Sequence, residues 1–374
     1  MRWIGRVLLA GVVALIGLLG LVFGTEYTPA PEEPVTGACE GEAKPLKSGV
    51  PLTMVSWNVQ FAGSRAYEFF YEGGTAVNVP EDVVNATVAG ISQALSGMGA
   101  DLVMLQEVDR DSRRTHHIDQ HAGVLAGVGL PCGMSTPYWR SPYVPTPSFE
   151  RVGPVDMHLS LMSRGPLLSG SRHALALLKE NRVVQAFNLK RALMTAEIPV
   201  EGLDRPLAVA NTHLSAFSYG DGSMADQVRT LEAWMAARPA DQAWILAGDL
   251  NLIPEGDDPK RLGEAAGLYA DDPNPVAMLT SRFQEAFGDR ALDPSARTWV
   301  PFGSDKAERK IDWVFYGGPL TVIDATVAGE YYKLSDHLPL VVRFQLGAPP
   351  APPPTVDPFA NPVTPGEGAA APTN

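Results

Sequence analysis

Asp249 and Asn251 are the first residues whose types and spacing point to chemistry. They follow the apolar run Trp244-Ile245-Leu246, which predicts a short buried strand that is stopped by Gly248. Because alternate residues of an extended chain point to the same side, the carboxylate and the carboxamide would project together from the end of this strand. Such a pair can hold a water molecule or a phosphate oxygen. The same pattern is also typical of an ordinary turn, so its meaning depends on its neighbours.

Polar residues also stand at the ends of other apolar runs. Glu107 follows a nearly unbroken apolar run, where it is either a solvated strand end or a ligand for a hard cation such as Mg²⁺. Asp312 could hold His337 in one tautomer, so that the other ring nitrogen faces a substrate. A lone histidine such as His213 is more often structural than catalytic. The further polar residues at predicted strand ends are Asn58 and Asp336.

Short apolar strands alternate with helical patterns and position these residues. Apolar residues at helical spacing predict two helices. The first covers residues 81–98 and begins after Pro80, and the second covers residues 225–238. Strands are predicted at residues 52–57, 101–106, 158–162, 192–198, 207–211, 244–247, 311–316 and 340–344. Many strands with few, widely placed helices indicate two packed sheets with helices outside them.

The composition limits the classes of partner. The chain has 374 residues and a formal net charge of -13, so it offers no positive field to attract nucleic acid, although bound metal ions can still supply positive charge for a phosphate. The two cysteines, Cys39 and Cys132, are too few for a disulfide framework or a multi-cysteine zinc site. They could form one bridge in an oxidising compartment, but two unpaired thiols are at least as well supported, because Cys39 falls in an apparent linker.

The composition divides the chain into four segments. Residues 1–24 contain an apolar run preceded by Arg2 and Arg6, which predicts an uncleaved membrane anchor, or as the close alternative a cleaved signal peptide, with the rest outside the cytoplasm. Residues 25–49 are rich in Pro, Glu and Gly and predict a linker. Residues 50–347 form the predicted folded domain. Residues 348–374 are rich in Pro and Ala and predict a disordered tail.

In chain order these motifs resemble the endonuclease/exonuclease/phosphatase superfamily over residues 50–347. The motifs are Ser56-Trp57-Asn58, Leu105-Gln106-Glu107-Val108, Leu161-Met162-Ser163-Arg164-Gly165-Pro166, Asn211-Thr212-His213-Leu214, Gly248-Asp249-Leu250-Asn251, Thr298-Trp299, Ile311-Asp312-Trp313 and Ser335-Asp336-His337. The resemblance implies an α/β (α+β) fold, a four-layered α/β sandwich of two packed mixed sheets flanked by helices. It also implies hydrolysis of a phosphate ester by direct attack of water, with Mg²⁺ as cofactor and Mn²⁺ as an alternative.

The resemblance also implies a role for each site residue. Glu107 would be the principal metal ligand, helped by Asn58, with Asp336 close to the metal. Asp249 would position and activate the water, and Asn251 would bind the phosphoryl group. His337, oriented by Asp312, would stabilise the developing charge or move a proton.

His213 restricts which branch of this superfamily the sequence resembles. Branches that resemble pancreatic deoxyribonucleases, bacterial sphingomyelinases and inositol phosphatases have a histidine here, whereas abasic-site endonucleases usually lack it. The sequence identifies no carboxylate partner for His213. Residues 116–151, rich in Pro and Tyr, are expected to carry specificity.

Three functions remain as hypotheses. The leading one is a membrane-tethered, extracytoplasmic phosphodiesterase that acts on a phospholipid or small phosphodiester, with membrane contact through the N-terminal segment. The second is an extracellular or periplasmic nuclease of the same family, although the charge of the chain does not favour nucleic acid. The third is a membrane-tethered binding module without catalysis, which is weakened by the presence of Glu107, Asp249 and His337.

Overall fold

The secondary structure is that of a computed structural model, which describes residues 2–347 apart from residues 217 and 270. The described strands are β1 (Glu32–Val35), β2 (Ala38–Cys39), β3 (Leu46–Lys47), β4 (Pro51–Asn58), β5 (Leu102–Asp109), β6 (Cys132–Val144), β7 (Gly153–Ser163), β8 (Gly170–Ala174), β9 (Ala192–Ile198), β10 (Val200–Glu201), β11 (Leu207–His213), β12 (Trp244–Asp249), β13 (Gln284–Glu285), β14 (Asp312–Gly317), β15 (Leu320–Val327) and β16 (Leu340–Leu346). The described α-helices are α1 (Arg2–Gly24), α2 (Glu81–Gly97), α3 (Gln120–Val128), α4 (Arg182–Phe187), α5 (Ser223–Ala236) and α6 (Ala277–Thr280). The predicted tail, residues 348–374, lies outside the described residues.

Two seven-stranded sheets form the centre of the folded domain. The first sheet has the strand order β1-β8-β9-β11-β12-β14-β13, and the second has the order β15-β16-β4-β5-β7-β6-β2. Strands β3 and β10 form a separate parallel pair. The two sheets are mixed, because each contains one parallel pair, β11 with β12 and β4 with β5, among antiparallel neighbours. The predicted α/β sandwich is confirmed.

Alternating side chains divide the core into layers. On β4, Met54 belongs to the cluster between the sheets, whereas Val55 and Trp57 pack with the buried face of α2. On β11, Val209 faces the other sheet and Ala210 packs with the residues of α5. Two sheets, each covered on its outer face by a helix, give the predicted four layers.

The two parallel pairs determine where polar residues can gather. Parallel neighbours need a crossover, and here α2 joins β4 to β5 and α5 joins β11 to β12. The carboxyl ends of these four strands carry Asn58, Glu107, His213 and Asp249. Ligands of α/β sheets commonly bind outside such strand ends. The fold therefore brings the polar strand ends of the sequence to one edge of the sandwich.

The helices and strands predicted from the sequence are present in the structure, with shifts at their ends. The helices predicted at residues 81–98 and 225–238 are α2 and α5, and each predicted strand overlaps an observed one. Most of residues 116–151, the expected specificity segment, form α3 and the long strand β6.

Residues 25–49 differ from the expected linker. Strand β1 pairs with β8 at the edge of the first sheet, and β2 pairs with β6 at the edge of the second. Cys39 and Cys132 are opposite each other in the β2–β6 register and form a disulfide. The chain therefore contains the bridge and has no free cysteine among the residues that the structure describes. Edge pairing, which needs few hydrogen bonds, explains why a Pro-rich sequence can still join a sheet.

Loss of this disulfide should lower the stability of the domain. The bridge joins residues separated by 93 positions, so it restricts a long loop of the unfolded chain. We expect the double variant Cys39→Ser with Cys132→Ser to lose about 2–4 kcal/mol of unfolding free energy. Thermal melts with and without a reductant measure this loss. The wild type under reduction should match the variant, and equal melting temperatures for oxidised wild type and variant would contradict the prediction.

Helix α1 has the length and composition of a membrane span. The segment Trp3–Gly24 has a mean hydropathy of 2.7 and is not buried against the domain. A signal sequence near an N-terminus has the same properties, so this finding alone does not distinguish an anchor from a signal.

Candidate active site

Asn58 links the polar ends of the two sheets. Its Nδ2 donates one hydrogen bond of 3.1 Å to Glu107 Oε1 and another of 3.0 Å to Asp249 Oδ2. Its Oδ1 accepts a bond of 3.0 Å from the backbone N–H of Gln60. Asn58 and Asp249 are almost fully buried, so these bonds hold the two sheets in a fixed relation at this edge.

A bulge turns Glu107 into the site. The pairing of β5 with β7 shifts its register between Leu105 and Val108, and Glu107 has a φ of 57°. A bulge inserts an extra residue into one strand and redirects its side chain, which is how such features are often used near active sites. The backbone N–H of Glu107 donates to Tyr138 Oη at 3.2 Å, which further fixes the bulge.

Gly248 allows strand β12 to pass close to β11 just before Asp249. Its φ is 150°, and a Cβ at this position would lie 1.9 Å from the carbonyl oxygen of Thr212. Beyond the strand, Asn251 has a φ of 51°, its backbone N–H donates to Asp249 Oδ1 at 2.9 Å, and its Nδ2 donates to Leu214 O at 3.2 Å. Asn251 therefore fixes the orientation of the carboxylate.

A Gly248→Ala variant should be strongly destabilised. The added methyl group would collide with the backbone of β11, which a flexible side chain cannot relieve. We expect a loss of roughly 3 kcal/mol or more in the free energy of unfolding, measured by urea denaturation. The matched control is Gly267→Ala, because a Cβ there would contact nothing within 4 Å. Equal midpoints for the two variants would contradict this prediction.

His337 lies between two carboxylates. Its Nδ1 is 2.7 Å from Asp312 Oδ2, and its Nε2 is 3.6 Å from Asp249 Oδ2. Asp249 and Asp312 are opposite each other in the β12–β14 register, which brings residues distant in sequence to the same histidine. Burial alone would lower the pKa of His337, but the charges of Asp312 and Asp249 raise it well above its usual value. The histidine therefore carries a proton held by its neighbours.

The loop that carries His337 is pinned to strand β4. Trp57 Nε1 donates a buried hydrogen bond of 2.8 Å to the carbonyl oxygen of His337. Ser335 Oγ donates to the carbonyl oxygen of Asn58 at 2.7 Å. The backbone N–H of Asp336 donates to Gln60 Oε1 at 3.3 Å. These bonds place Asp336 and His337 at the same edge as the strand ends.

The structure supplies the partners of His213 that the sequence did not reveal. Its Nε2 is 3.3 Å from Asp249 Oδ2, and its Nδ1 is 3.2 Å from Tyr138 Oη and 3.9 Å from Glu107 Oε1. Burial lowers the pKa of His213 well below its usual value, and the nearby charge of Arg191 adds to this effect. His213 is therefore neutral, in contrast to His337.

Burial and mutual repulsion disfavour the ionised form of Glu107, although the charges of Arg114 and His337 oppose this effect. Burial raises the pKa of Glu107, and the neighbouring Asp336 raises it further. Burial also raises the pKa of Tyr71 well above its usual value, and the charges of Asp336 and Glu107 add to the rise. Two acids that repel each other across a shared space fit a divalent cation, since its charge would remove the repulsion and oxygen ligands suit Mg²⁺.

A second group of residues could also contact a metal. Ligand atoms of Asp249, Asp312 and His337 lie within 4.8 Å of one another. However, the hydrogen bond with Asp312 Oδ2 occupies Nδ1 of His337, as expected for a carboxylate that orients a histidine. Asp312 Oδ1 is buried and has no hydrogen-bond partner among the described residues, so it is available to a cation. Asp249, Asp312 and His337 are therefore a second candidate metal group besides the Glu107 side.

The structure adds site residues that sequence reasoning missed. Tyr138 contacts both Glu107 and His213, Tyr71 lies near the carboxylates, and Arg191 is buried beside Tyr138. None of these follows an apolar strand in a recognisable motif. The aromatic residues of 116–151 were the one available signal for Tyr138. All eight site residues expected from sequence lie at this edge.

Comparison with known proteins supports this picture. The family model described as Endonuclease/Exonuclease/phosphatase family matches residues 55–337. The fold is similar to that of an endonuclease/exonuclease/phosphatase from Beutenbergia cavernae, with 22% identity, a TM-score of 0.56, and coverage of 79% of this chain and 72% of that chain. A protein of the same description from Bacteroides vulgatus has 15% identity, a TM-score of 0.51, and coverage of 79% and 99%.

The comparison with curated proteins finds no match. The family assignment therefore depends on the family model and on the fold. Enzymes of this family are metal-dependent hydrolases of phosphoric esters, and the gathered carboxylates, amides and histidines are suited to that chemistry. Since the family model spans most of the folded domain, this chain belongs to the endonuclease/exonuclease/phosphatase family and is a metal-dependent phosphoric ester hydrolase.

Proposed function

We propose that the chain is a Mg²⁺-dependent phosphodiesterase that acts outside the cytoplasm on a phospholipid or a small phosphodiester. The observation that carries the proposal is the hydrogen-bonded group at the sandwich edge, in which Asn58 joins Glu107 to Asp249 and His337 lies 3.6 Å from Asp249. This group supplies a metal ligand, a base and an acid within one site.

Glu107, Asn58 and Asp336 would hold the metal. Bound there, Mg²⁺, or Mn²⁺ in its place, would neutralise charge that develops on the phosphoryl oxygens. Glu107 and Asp336 supply the carboxylates, and the repulsion between them supports this assignment. The carboxamide of Asn58 lies between this side and Asp249, where it can orient either a ligand or a phosphate oxygen.

Asp249 and His337 divide the proton transfers. Asp249 accepts a proton from the attacking water while the water oxygen forms a bond to phosphorus. The ester P–O bond then breaks, and His337 gives its proton to the leaving alcohol. Burial raises the pKa of Asp249 to about 7, which suits a base near neutral pH, although the charge of His337 opposes the rise. Asp312 orients His337, and Asn251 positions Asp249 and faces the phosphoryl group.

His213 acts as an uncharged residue in this scheme. Because its pKa is low, it contacts the carboxylate of Asp249 without competing with His337 as the acid. Its bond with Tyr138 fixes the ring from the other side. We therefore assign His213 to holding Asp249 and the phosphoryl group in place.

The location and substrate class are supported by features outside the site. The apolar helix α1 can enter a membrane, and the Cys39–Cys132 disulfide is typical of an oxidising compartment outside the cytoplasm. The net charge of -13 disfavours a polyanionic nucleic acid. A membrane phospholipid or a small phosphodiester carries fewer negative charges and meets less repulsion.

A substrate screen tests this function. The full-length chain in detergent micelles is incubated with Mg²⁺ and with sphingomyelin, phosphatidylinositol, DNA, RNA or bis-p-nitrophenyl phosphate. We expect hydrolysis of bis-p-nitrophenyl phosphate and of at least one lipid, and its loss in EDTA. Preferential cleavage of DNA or RNA would overturn the substrate class. Failure to cleave any phosphodiester with Mg²⁺ or Mn²⁺ would overturn the proposed function.

A further inference from the structure

A cavity of about 450 Å³ adjoins the active site on the side of His213. Its wall includes Ser215, two residues after His213, and Arg191, which directly precedes β9. The guanidinium of Arg191 lies 5.3 Å from the ring of Tyr138, whose hydroxyl group contacts His213. Arg191 therefore lies between the cavity and the catalytic residues.

Arg191 is a buried cation beside the active site, where the charges of Glu107 and Asp249 act on it. The residue is 9% exposed, and its guanidinium makes no hydrogen bond or ion pair within the part of the chain that the structure describes. Its Nη1 is fully buried and unpaired. An unpaired buried charge is costly, so such a group is commonly kept for a ligand. A phosphate group is the ligand that a guanidinium fits best.

The other cations of this cavity already have acidic neighbours. Lys190 Nζ lies 3.0 Å from Glu26 Oε1. The Lys179 side chain donates to the backbone of Asp221, whose carboxylate accepts a hydrogen bond from the Lys179 backbone N–H. Among the lining residues described, Arg191 is thus the cation that has no ion pair, and its nearest charged neighbours are Glu107 and Asp249 of the active site. One phosphodiester group would add a single negative charge beside Arg191, whereas a nucleic acid would need a row of cations.

The end of the apolar helix α1 is attached to the same wall. Glu26, two residues beyond α1, has a side chain that is only 3% exposed and is bonded to both Lys190 and Arg182. The guanidinium of Arg182 also lies 4.9 Å from the ring of Phe23, within α1. Because Lys190 lines the cavity, these contacts hold the cavity beside the point where the chain would leave a membrane.

Exposed apolar side chains border this region. Leu177 and Tyr219 line the cavity and are 40% and 63% exposed. Val183 and Val184 of α4, the helix that contains Arg182, are each 43% exposed. Apolar side chains next to a spanning helix can insert into the interfacial region of a bilayer.

We propose that this cavity admits a membrane phospholipid to the active site, with the phosphate group held by Arg191 between the cavity and the catalytic residues, while the acyl chains stay in the bilayer that α1 enters. The inference rests on the proposed function and specifies its substrate and direction of approach. Hydrolysis adds one water across a P–O ester bond of that phosphate, so that one product carries the phosphate and the other is an alcohol.

An arginine series tests the binding part of the proposal. The full-length chain and its variants are placed in vesicles of phosphatidylcholine and phosphatidylinositol, and phospholipid loss is followed by chromatography. Arg191→Met should raise the KM for phospholipid by roughly 10- to 100-fold, the effect of losing a charge-assisted bond to phosphate, with a smaller change in kcat. Arg191→Lys should restore part of the loss. The matched control, Arg205→Met, removes an exposed arginine that pairs with Asp241.

The folding of these variants is checked by thermal melts and circular dichroism. A folded Arg191→Met variant with an unchanged KM would overturn the role of Arg191. If Arg191→Met fails to fold, competitive inhibition by inorganic phosphate provides the second measurement. Folded Arg191→Lys should then show weaker phosphate inhibition than the wild type, and equal inhibition would overturn the assignment.

A spacer variant tests the approach from the membrane. A flexible Gly/Ser spacer of about ten residues, inserted between Thr25 and Glu26, separates α1 from the ion pairs of Glu26 while leaving the catalytic residues unchanged. We expect several-fold slower phospholipid hydrolysis in vesicles and unchanged hydrolysis of soluble bis-p-nitrophenyl phosphate. The control carries the same spacer after Asn374.

The outcomes separate this inference from the proposed function. Equal phospholipid hydrolysis by the spacer variant and the control would overturn the approach from the membrane. Hydrolysis of bis-p-nitrophenyl phosphate without any loss of vesicle phospholipid would overturn the lipid substrate and leave the phosphodiesterase intact. Failure on both substrates would overturn the proposed function itself.

Discussion

A Glu107→Gln variant is expected to lose metal-dependent hydrolysis by about 10³-fold in kcat/KM, which corresponds to about 4 kcal/mol of transition-state stabilisation. The change keeps the size of the side chain and an oxygen that can accept the 3.1 Å bond from Asn58, but it removes the negative charge. A neutral amide is a much weaker ligand for Mg²⁺ than a carboxylate. The loss should therefore come from metal binding and not from misfolding.

Stability measurements separate these two causes. Burial and Asp336 raise the pKa of Glu107, so its ionised form is unfavourable in the metal-free fold, and the amide should not lower the melting temperature. Mg²⁺ should raise the melting temperature of the wild type but not of the variant. Glu201→Gln, an exposed change, is the matched control. Retained activity, or an equal Mg²⁺-induced shift in both proteins, would refute the metal role of Glu107.

The residues expected to form the site lie at one edge because several of them end strands. The apolar runs before Asn58, Glu107 and Asp249 are easily recognised, and parallel pairing brings such ends together. The pairing of Asp249 with Asp312 across two antiparallel strands has no local signal, since register depends on the whole sheet. The bulge that redirects Glu107 is equally invisible in a run of apolar residues.

The sequence did not predict strand β6, because this strand contains two prolines. Pro137 and Pro142 would normally exclude a central strand, because proline cannot donate a ladder hydrogen bond. Here the β6–β7 register shifts between Pro137 and Trp139 and again between Ser141 and Val144, so each proline falls at or within an irregularity. Bulges admit residues that the period-two pattern rejects, and single-sequence patterns do not show where they occur.

Edge pairing explains the strands within residues 25–49, which were expected to be a linker. Strands β1 and β2 contribute only four and two residues, and Pro34 lies within β1. Because they border their sheets on one side only, they need neither a long apolar run nor strict alternation. The pairing of Cys39 with Cys132 depends on this edge contact. It could not be chosen over two free thiols from spacing alone.

Asp249→Asn is expected to reduce kcat by about 10³-fold or more while leaving metal binding in place. The amide keeps an oxygen for the 3.0 Å bond from Asn58 but can no longer accept a proton from water. Burial raises the pKa of the Asp249 carboxyl group to about 7, so its ionisation costs free energy in the folded state. The neutral amide avoids that cost, and the variant should fold as well as the wild type.

The comparison with Glu107→Gln distinguishes a base from a metal ligand. In the Asp249→Asn variant, Mg²⁺ should still raise the melting temperature, whereas it should not do so after Glu107→Gln. The matched control is Asp324→Asn, on an exposed position of β15. Loss of the Mg²⁺-induced shift in Asp249→Asn would instead make Asp249 a metal ligand, consistent with the alternative group of Asp249, Asp312 and His337. Unchanged kcat would exclude Asp249 as the base, and another group would have to accept the proton of the attacking water.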